Sequence, residues 1–202
     1  MSDILCVTNR KLCRGSFLER VGQIARAKPA GLILREKDLP EDEYIALARQ
    51  VLKICGAYGV NCFLHTFAEV AAALGAEFLH VPFPILMSMS GREKARFRKL
   101  GASCHSVEEA KAAEKQGCTY ITAGHIFETD CKRGLAGRGL KFLEEICACV
   151  SIPVYAIGGI DAENIGKIRK AGAAGACVMS GLMECKDTAD YLRALERRND
   201  FS

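Results

Sequence analysis

The 202-residue chain lacks a segment that could cross a bilayer. Its longest apolar stretch, around Phe78 to Met89, is too short and is interrupted by prolines. The first residues, MSDILCVTNRK, have an acidic residue at position 3 and only a brief apolar run, so no secretory signal is expected. No charge cluster is present either. Lys and Arg total 28 against 24 acidic residues, and the net charge of +4 is scattered, which leaves neither nucleic acid nor membrane as a required partner. No CxxC pair occurs among the 11 cysteines, and the Cys147-Ala148-Cys149 pair has no histidine nearby. A zinc site is therefore not expected, and the thiols read as small buried hydrophobes in a reducing cytoplasm. Linkers, low-complexity tracts and domain boundaries are missing as well, so residues 1–202 are expected to form one domain. Half of the residues are hydrophobic and 26% are charged, which argues against disorder.

What is present is a rhythm. A short apolar run followed by an amphipathic segment recurs eight times. The runs are Ile4-Thr8, Gly31-Leu34, Cys62-His65, Phe78-Val81, Ala102-Cys104, Tyr120-Ala123, Val154-Ile157 and Ala176-Met179. Their lengths suit strands buried on both faces. Between them, Ser16-Phe17-Leu18-Glu19 and Ser106-Val107-Glu108-Glu109 carry helix-capping patterns. Pro40 opens a helix with Ile45, Ala48, Leu52 and Cys55 on one face. Further helices are expected over 140–150, 161–171 (with Gly172 as its stop) and 189–197. Residues 82–90 read as irregular and 92–100 as helical. Eight strand–helix units predict a parallel (β/α)8 barrel. An open doubly wound sheet is the alternative, but the turn after the first run, Asn9-Arg10-Lys11, lacks the glycines of a phosphate loop.

In a barrel the chemistry sits where strands end. Gly158 and Gly159 follow the seventh run, and Ser180 and Gly181 follow the eighth. Glycine backbones approach ligands closely, and loops after the last two strands are the usual phosphate seat of this fold, although the same glycines could serve only as tight turns. Arg35 and Lys37 end the second run and suit an anionic group, or form a solvated charge run. His125 ends the sixth run, where an imidazole could act as acid and base or be structural. His65, His80 and His105 also end strands. A three-histidine metal site is conceivable, but no tight pair spacing supports it.

These residues carry a family resemblance. Cys6-Val7-Thr8-Asn9-Arg10, Leu34-Arg35-Glu36-Lys37, Gly124-His125-Ile126-Phe127-Glu128-Thr129, Ala156-Ile157-Gly158-Gly159-Ile160 and Val178-Met179-Ser180-Gly181 resemble the thiamine-phosphate-synthase superfamily along nearly the whole chain. The resemblance implies one of two branches. The synthase joins a pyrimidine pyrophosphate to a thiazole phosphate and carries an Asn-Asp pair after its third strand and an Asp soon after its fourth, for magnesium. This chain has His65-Thr66 and His80-Val81-Pro82-Phe83-Pro84-Ile85-Leu86 there. The run from Gly124 to Gly139 instead resembles the TenI-type thiazole tautomerase.

The tautomerase branch implies an isomerase. It would convert a carboxylated dihydrothiazole ethylidene phosphate to the aromatic thiazole phosphate carboxylate, with no metal and no cofactor. His125 would move the proton. Gly158, Gly159, Ser180 and Gly181 would hold the phosphate, and Arg35, Lys37 and Lys132 would meet the remaining anionic groups and close the site. The other outcomes are a synthase with altered metal ligands or a non-catalytic thiazole-phosphate-binding regulator. A homo-oligomer remains open.

Overall fold

A computed structural model describes residues 2–129, 134 and 136–196. Its strands are β1 (Ile4–Val7), β2 (Gly31–Leu34), β3 (Cys62–His65), β4 (Phe78–Pro82), β5 (Lys99–Cys104), β6 (Tyr120–Gly124), β7 (Val154–Ile157) and β8 (Gly175–Val178). All pair in parallel with their neighbours in sequence, and β1 also pairs with β8 (Cys6 beside Val178), which closes the ring. The helices follow the strands: α1 (Phe17–Arg26), α2 (Glu41–Tyr58), α3 (Ala68–Ala73), α4 (Phe83–Ser88), α5 (Gly91–Lys94), α6 (Val107–Lys115), α7 (Gly139–Cys149) and α8 (Ile165–Lys170) lie between successive strands, and α9 (Ser180–Glu184) and α10 (Thr188–Glu196) come after β8. The molecule is a single-domain (β/α)8 barrel, as the rhythm of the sequence predicted.

Strand side chains alternate between two cores, because successive residues point to opposite faces. Ile4, Cys6, Leu32, Leu34, Cys62 and Leu64 pack outward against the helices. Leu5, Val7, Ile33, Phe63, Tyr120 and Cys177 fill the interior, joined by Phe78, Tyr155, Ile157 and Met179. The same parity fixes the mouth. Two residues beyond an interior core position, the next side chain also points inward, one layer nearer solvent. Ile33 is thus followed by Arg35, Phe63 by His65, Phe78 by His80, Gly101 by Ser103 and Tyr120 by Thr122.

Several boundaries differ from the expected ones. Residues 82–90, read as irregular, contain helix α4, which tolerates Pro84 because it lies in the first turn. Residues 92–100, read as helical, hold only the four-residue α5, capped by a reciprocal Ser90–Glu93 box, before the chain enters β5 at Lys99. Helix α8 starts at Ile165 rather than at 161, since the Asp161 carboxylate accepts the N–H groups of Glu163 and Asn164 and forms a turn first. On α2 the fully buried stripe is Tyr44, Ala48, Val51 and Cys55, one residue round from the expected Ile45 and Leu52. Among the described residues, no helix is long and apolar enough to cross a membrane, and the described cysteines are free thiols.

Candidate functional site

A cavity of about 740 Å³ opens at the C-terminal mouth, lined by Arg35, Lys37, His65, His80, Ser103, His125, Gly158, Gly159, Ser180 and Gly181 among others. The predicted site residues are therefore brought together, except Lys132, which lies outside the described residues.

The β7 loop is shaped by its glycines. Gly158 has φ 102° and Gly159 φ 64°, a left-handed backbone that side chains disfavour. A Cβ on Gly158 would overlap His125, and one on Gly159 would overlap the Glu128 carbonyl. The glycines thus serve both readings weighed for them. They allow the β7 loop to lie against the segment after β6, and they leave bare backbone at the cavity wall. At the next loop, a Cβ on Gly181 would overlap the Tyr191 hydroxyl.

Arg35 and Lys37 flank a residue that sequence reasoning left without a role. Glu36 is 3% exposed. Its carboxylate accepts the Thr8 hydroxyl at 2.7 Å, the Arg10 N–H at 3.1 Å to both oxygens, and Arg10 Nη1 at 3.3 Å. The Thr8 hydroxyl in turn accepts Arg35 N–H at 3.0 Å. A buried carboxylate thus ties the end of β1 to the end of β2. Arg10 continues outward to Asp38, whose carboxyl is held well below the usual range by the Arg10 and Lys11 side chains.

The floor between β3 and β6 is a neutral polar network. The rings of His65 and His80 stack with centroids 5.8 Å apart. His80 Nδ1 meets the Tyr120 hydroxyl and its Nε2 meets Ser103 Oγ, both at 2.9 Å. A neutral ring satisfies both contacts when the phenol donates to Nδ1 and Nε2–H donates to Ser103. Burial pushes His80 down to about 3. His65 is pushed down to about 2, first by burial and then by the positive charge of its neighbours, among them Arg35 and Lys37. Its Nδ1 lies 2.6 Å from the Thr66 hydroxyl. Gly101 makes the network possible, since a Cβ there would overlap the Tyr120 ring. Sequence reading singled out His65 and His80 but not Tyr120, Ser103 or Thr122; an alternating count inward from Phe78 and Tyr120 was the available signal.

His125 is 8% exposed, and its Nε2 lies 3.0 Å from the Ala136 carbonyl. Its own carbonyl accepts Arg138 N–H, so the residue clasps the base of the β6–α7 loop. The exposed His105 holds the Gly124 carbonyl through Nδ1 at 2.8 Å.

A magnesium ion prefers oxygen donors, carboxylates above all. The ends of β3 and β4 offer His65, Thr66 and His80, followed by Pro82, Phe83 and Pro84. Among the described residues, no group of three His, Cys, Asp or Glu is arranged to hold a metal ion. The donors present do not fit magnesium at this corner.

The fold and the position of the cavity define a (β/α)8 barrel with a polar, cation-flanked mouth. The chain belongs to the thiamine monophosphate synthase family, whose family model matches residues 4–182. It is 33% identical to a thiamine-phosphate synthase of Syntrophomonas wolfei over 202 residues, covering 96% of this chain and 95% of that one. It is 36% identical to thiamine-phosphate synthase 2 of Streptococcus pneumoniae over 177 residues, covering 85% and 82% of the two chains. Among solved structures, a thiamine phosphate pyrophosphorylase of Pyrococcus furiosus matches with a TM-score of 0.83 at 29% identity, covering 96% and 94%. A 3-hexulose-6-phosphate synthase, TM-score 0.71 at 17% identity, shares the fold alone. These likenesses correct the expectation of a thiazole tautomerase. The relatives that match along most of the chain are named as synthases, which are transferases and not isomerases. The tautomerase expectation leaned on the altered residues after β3 and β4 and on the single loop between Gly124 and Gly139.

Proposed function

We propose that the protein is a transferase of the thiamine-phosphate synthase kind, joining a pyrimidine pyrophosphate to a thiazole phosphate with release of pyrophosphate. The observation that carries this reading is one cavity with two anion-suited walls. The glycine loops after β7 and β8 form one wall, and Arg35 and Lys37 at the end of β2 form the other, with β1 between them. Two phosphorylated reactants need two such seats. Backbone N–H groups at Gly158, Gly159, Ser180 and Gly181 suit the thiazole phosphate. The Arg35 and Lys37 cations suit the pyrophosphate, and their charge favours its departure as the bond to the pyrimidine methylene carbon breaks and the thiazole nitrogen takes that carbon. The neutral floor of His65, His80 and Ser103 suits an uncharged heterocycle, because covering a charged floor with one would strip that charge of water. His125 shapes the wall beside the β7 glycine loop by clasping the β6–α7 loop. The cytoplasm is the compartment we propose, in keeping with free thiols.

The test is product formation. Purified chain is incubated with both precursors, with magnesium in one arm and EDTA in the other, and thiamine phosphate and pyrophosphate are quantified. Equimolar appearance of both in at least one arm is expected. Folded protein that yields no product above the blank in either arm refutes the proposal. Ser180→Asp adds a negative charge at an exposed position in the phosphate wall and should raise the KM for the thiazole phosphate more than that for the pyrimidine. It is a cleaner probe than a change at Gly159, where any side chain meets the Glu128 carbonyl.

A further inference from the structure

We infer that the corner between β3 and β4 does not hold a divalent cation, and that this chain holds the pyrophosphate group through its own cations, Arg35 and Lys37 at the end of β2, without magnesium. The inference rests on the transferase reading for the identity of the anion, but it stands on the donor chemistry of the corner.

Three observations meet there. The first is saturation. Both nitrogens of His80 are engaged, by Tyr120 and by Ser103, and the Thr122 hydroxyl reaches Ser103 at 3.4 Å. Thr66 Oγ1, the first oxygen after β3, is spent on His65 Nδ1. The hydroxyls that could serve a hard cation are already bonded, and none carries charge.

The second is backbone conformation. Thr66 has φ 72°, a left-handed geometry that a β-branched residue enters at a cost and that Asp or Asn adopts more readily. The main chain at this position would accept a carboxylate residue, yet a threonine is held there by its contact with His65. The third is the local potential. Arg35 and Lys37 line the same cavity on the side of His65, whereas the carboxylates that line it, Glu109, Glu128, Asp161 and Glu184, follow β5, β6, β7 and β8. A site beside two fixed cations disfavours a third positive species and favours an anion directly.

The experiment uses inorganic pyrophosphate as probe and calorimetry on the full chain, with free pyrophosphate held equal in buffers containing magnesium or EDTA. The expected dissociation constants agree within about threefold, well inside the tenfold that 1.4 kcal/mol represents. Arg35→Gln should weaken binding about tenfold or more in both buffers alike, as loss of a charge-assisted contact does. Tightening by magnesium of about tenfold or more overturns the inference, and so does absence of pyrophosphate binding in both buffers. Thr66→Asp supplies a gain-of-function control. It places a carboxylate on a compatible backbone and should make binding magnesium-dependent where the parent is not. If binding by the parent is magnesium-independent but no thiamine phosphate forms in the coupling assay, the transferase reading fails while this one holds. If coupling proceeds only with magnesium and magnesium tightens pyrophosphate, this one fails while the transferase reading holds.

Discussion

Replacing Glu36 with alanine isolates the device that joins β1 to β2. The carboxylate accepts from the Thr8 hydroxyl, from the Arg10 backbone and from the Arg10 guanidinium, and it is almost wholly out of water. Its removal strands the buried Thr8 hydroxyl and the Arg10 N–H. Breaking a buried hydrogen-bonded charge pair typically costs about 3–5 kcal/mol. Arg10 is partly exposed and keeps Asp38 as a second partner, which lowers the expected cost to about 2–4 kcal/mol. For a chain of this size each kcal/mol moves the midpoint by about 2–4 °C, so the melting temperature should fall by about 4–16 °C. Glu36→Gln keeps the shape and one acceptor, and should lose roughly half as much. Thermal unfolding followed by far-ultraviolet circular dichroism reads both variants beside the parent. A fall of less than about 2 °C for Glu36→Ala would show that Thr8 and Arg10 find water or other partners, and that the carboxylate is not the anchor described.

The buried histidines make stability fall in acid. Their folded values lie far below the ordinary value near ~6.5, so between those limits the unfolded chain binds protons that the folded chain excludes. From pH 7 to pH 5 each should remove about 2 kcal/mol, and urea unfolding at the two pH values should give a markedly flatter dependence for His80→Gln; an unchanged dependence refutes the assignment. Tyr120→Phe deletes the hydroxyl hydrogen-bonded to His80 Nδ1 and leaves a buried ring nitrogen unpaired, at a cost of about 1–3 kcal/mol. An unaltered urea midpoint for that variant would refute the contribution of this bond to stability.

The strands were legible because a buried parallel strand is a short uninterrupted apolar run. Four-residue β2, β3 and β7 match the expected limits to the residue. The start of β5 was not legible, because Lys99 is exposed and Gly101 has no side chain to signal with. That glycine is dictated from across the barrel by the Tyr120 ring. The order Pro82, Phe83, Pro84 looks like broken chain, although Pro84 falls in the one helical turn that does not need its N–H. At the site, Arg35 and the glycine loops follow from position at strand ends. The role of Glu36 depends on β1–β2 register, and the His80–Tyr120 pair joins residues 40 apart, so neither has a local pattern. The branch of the family was misjudged for a related reason. Two altered metal positions and one well-matched loop outweighed the likeness carried by the remainder of the chain.

The pairing of β1 with β8 has a consequence for how the molecule matures. The two walls proposed to take anions are drawn from residues 35–37 and 158–181, with β1 between them. A chain that ends at β6 contains every residue of the histidine floor, yet it lacks the glycine loops after β7 and β8 that complete the cavity. A seat that touches both walls is therefore complete only when β8 is docked on β1, the pairing that joins the most distant parts of the chain. Any anion held by both walls favours the closed ring over the open one by mass action. Substrate would act on newly made chains as a latch, pulling the population toward completed barrels in proportion to its concentration.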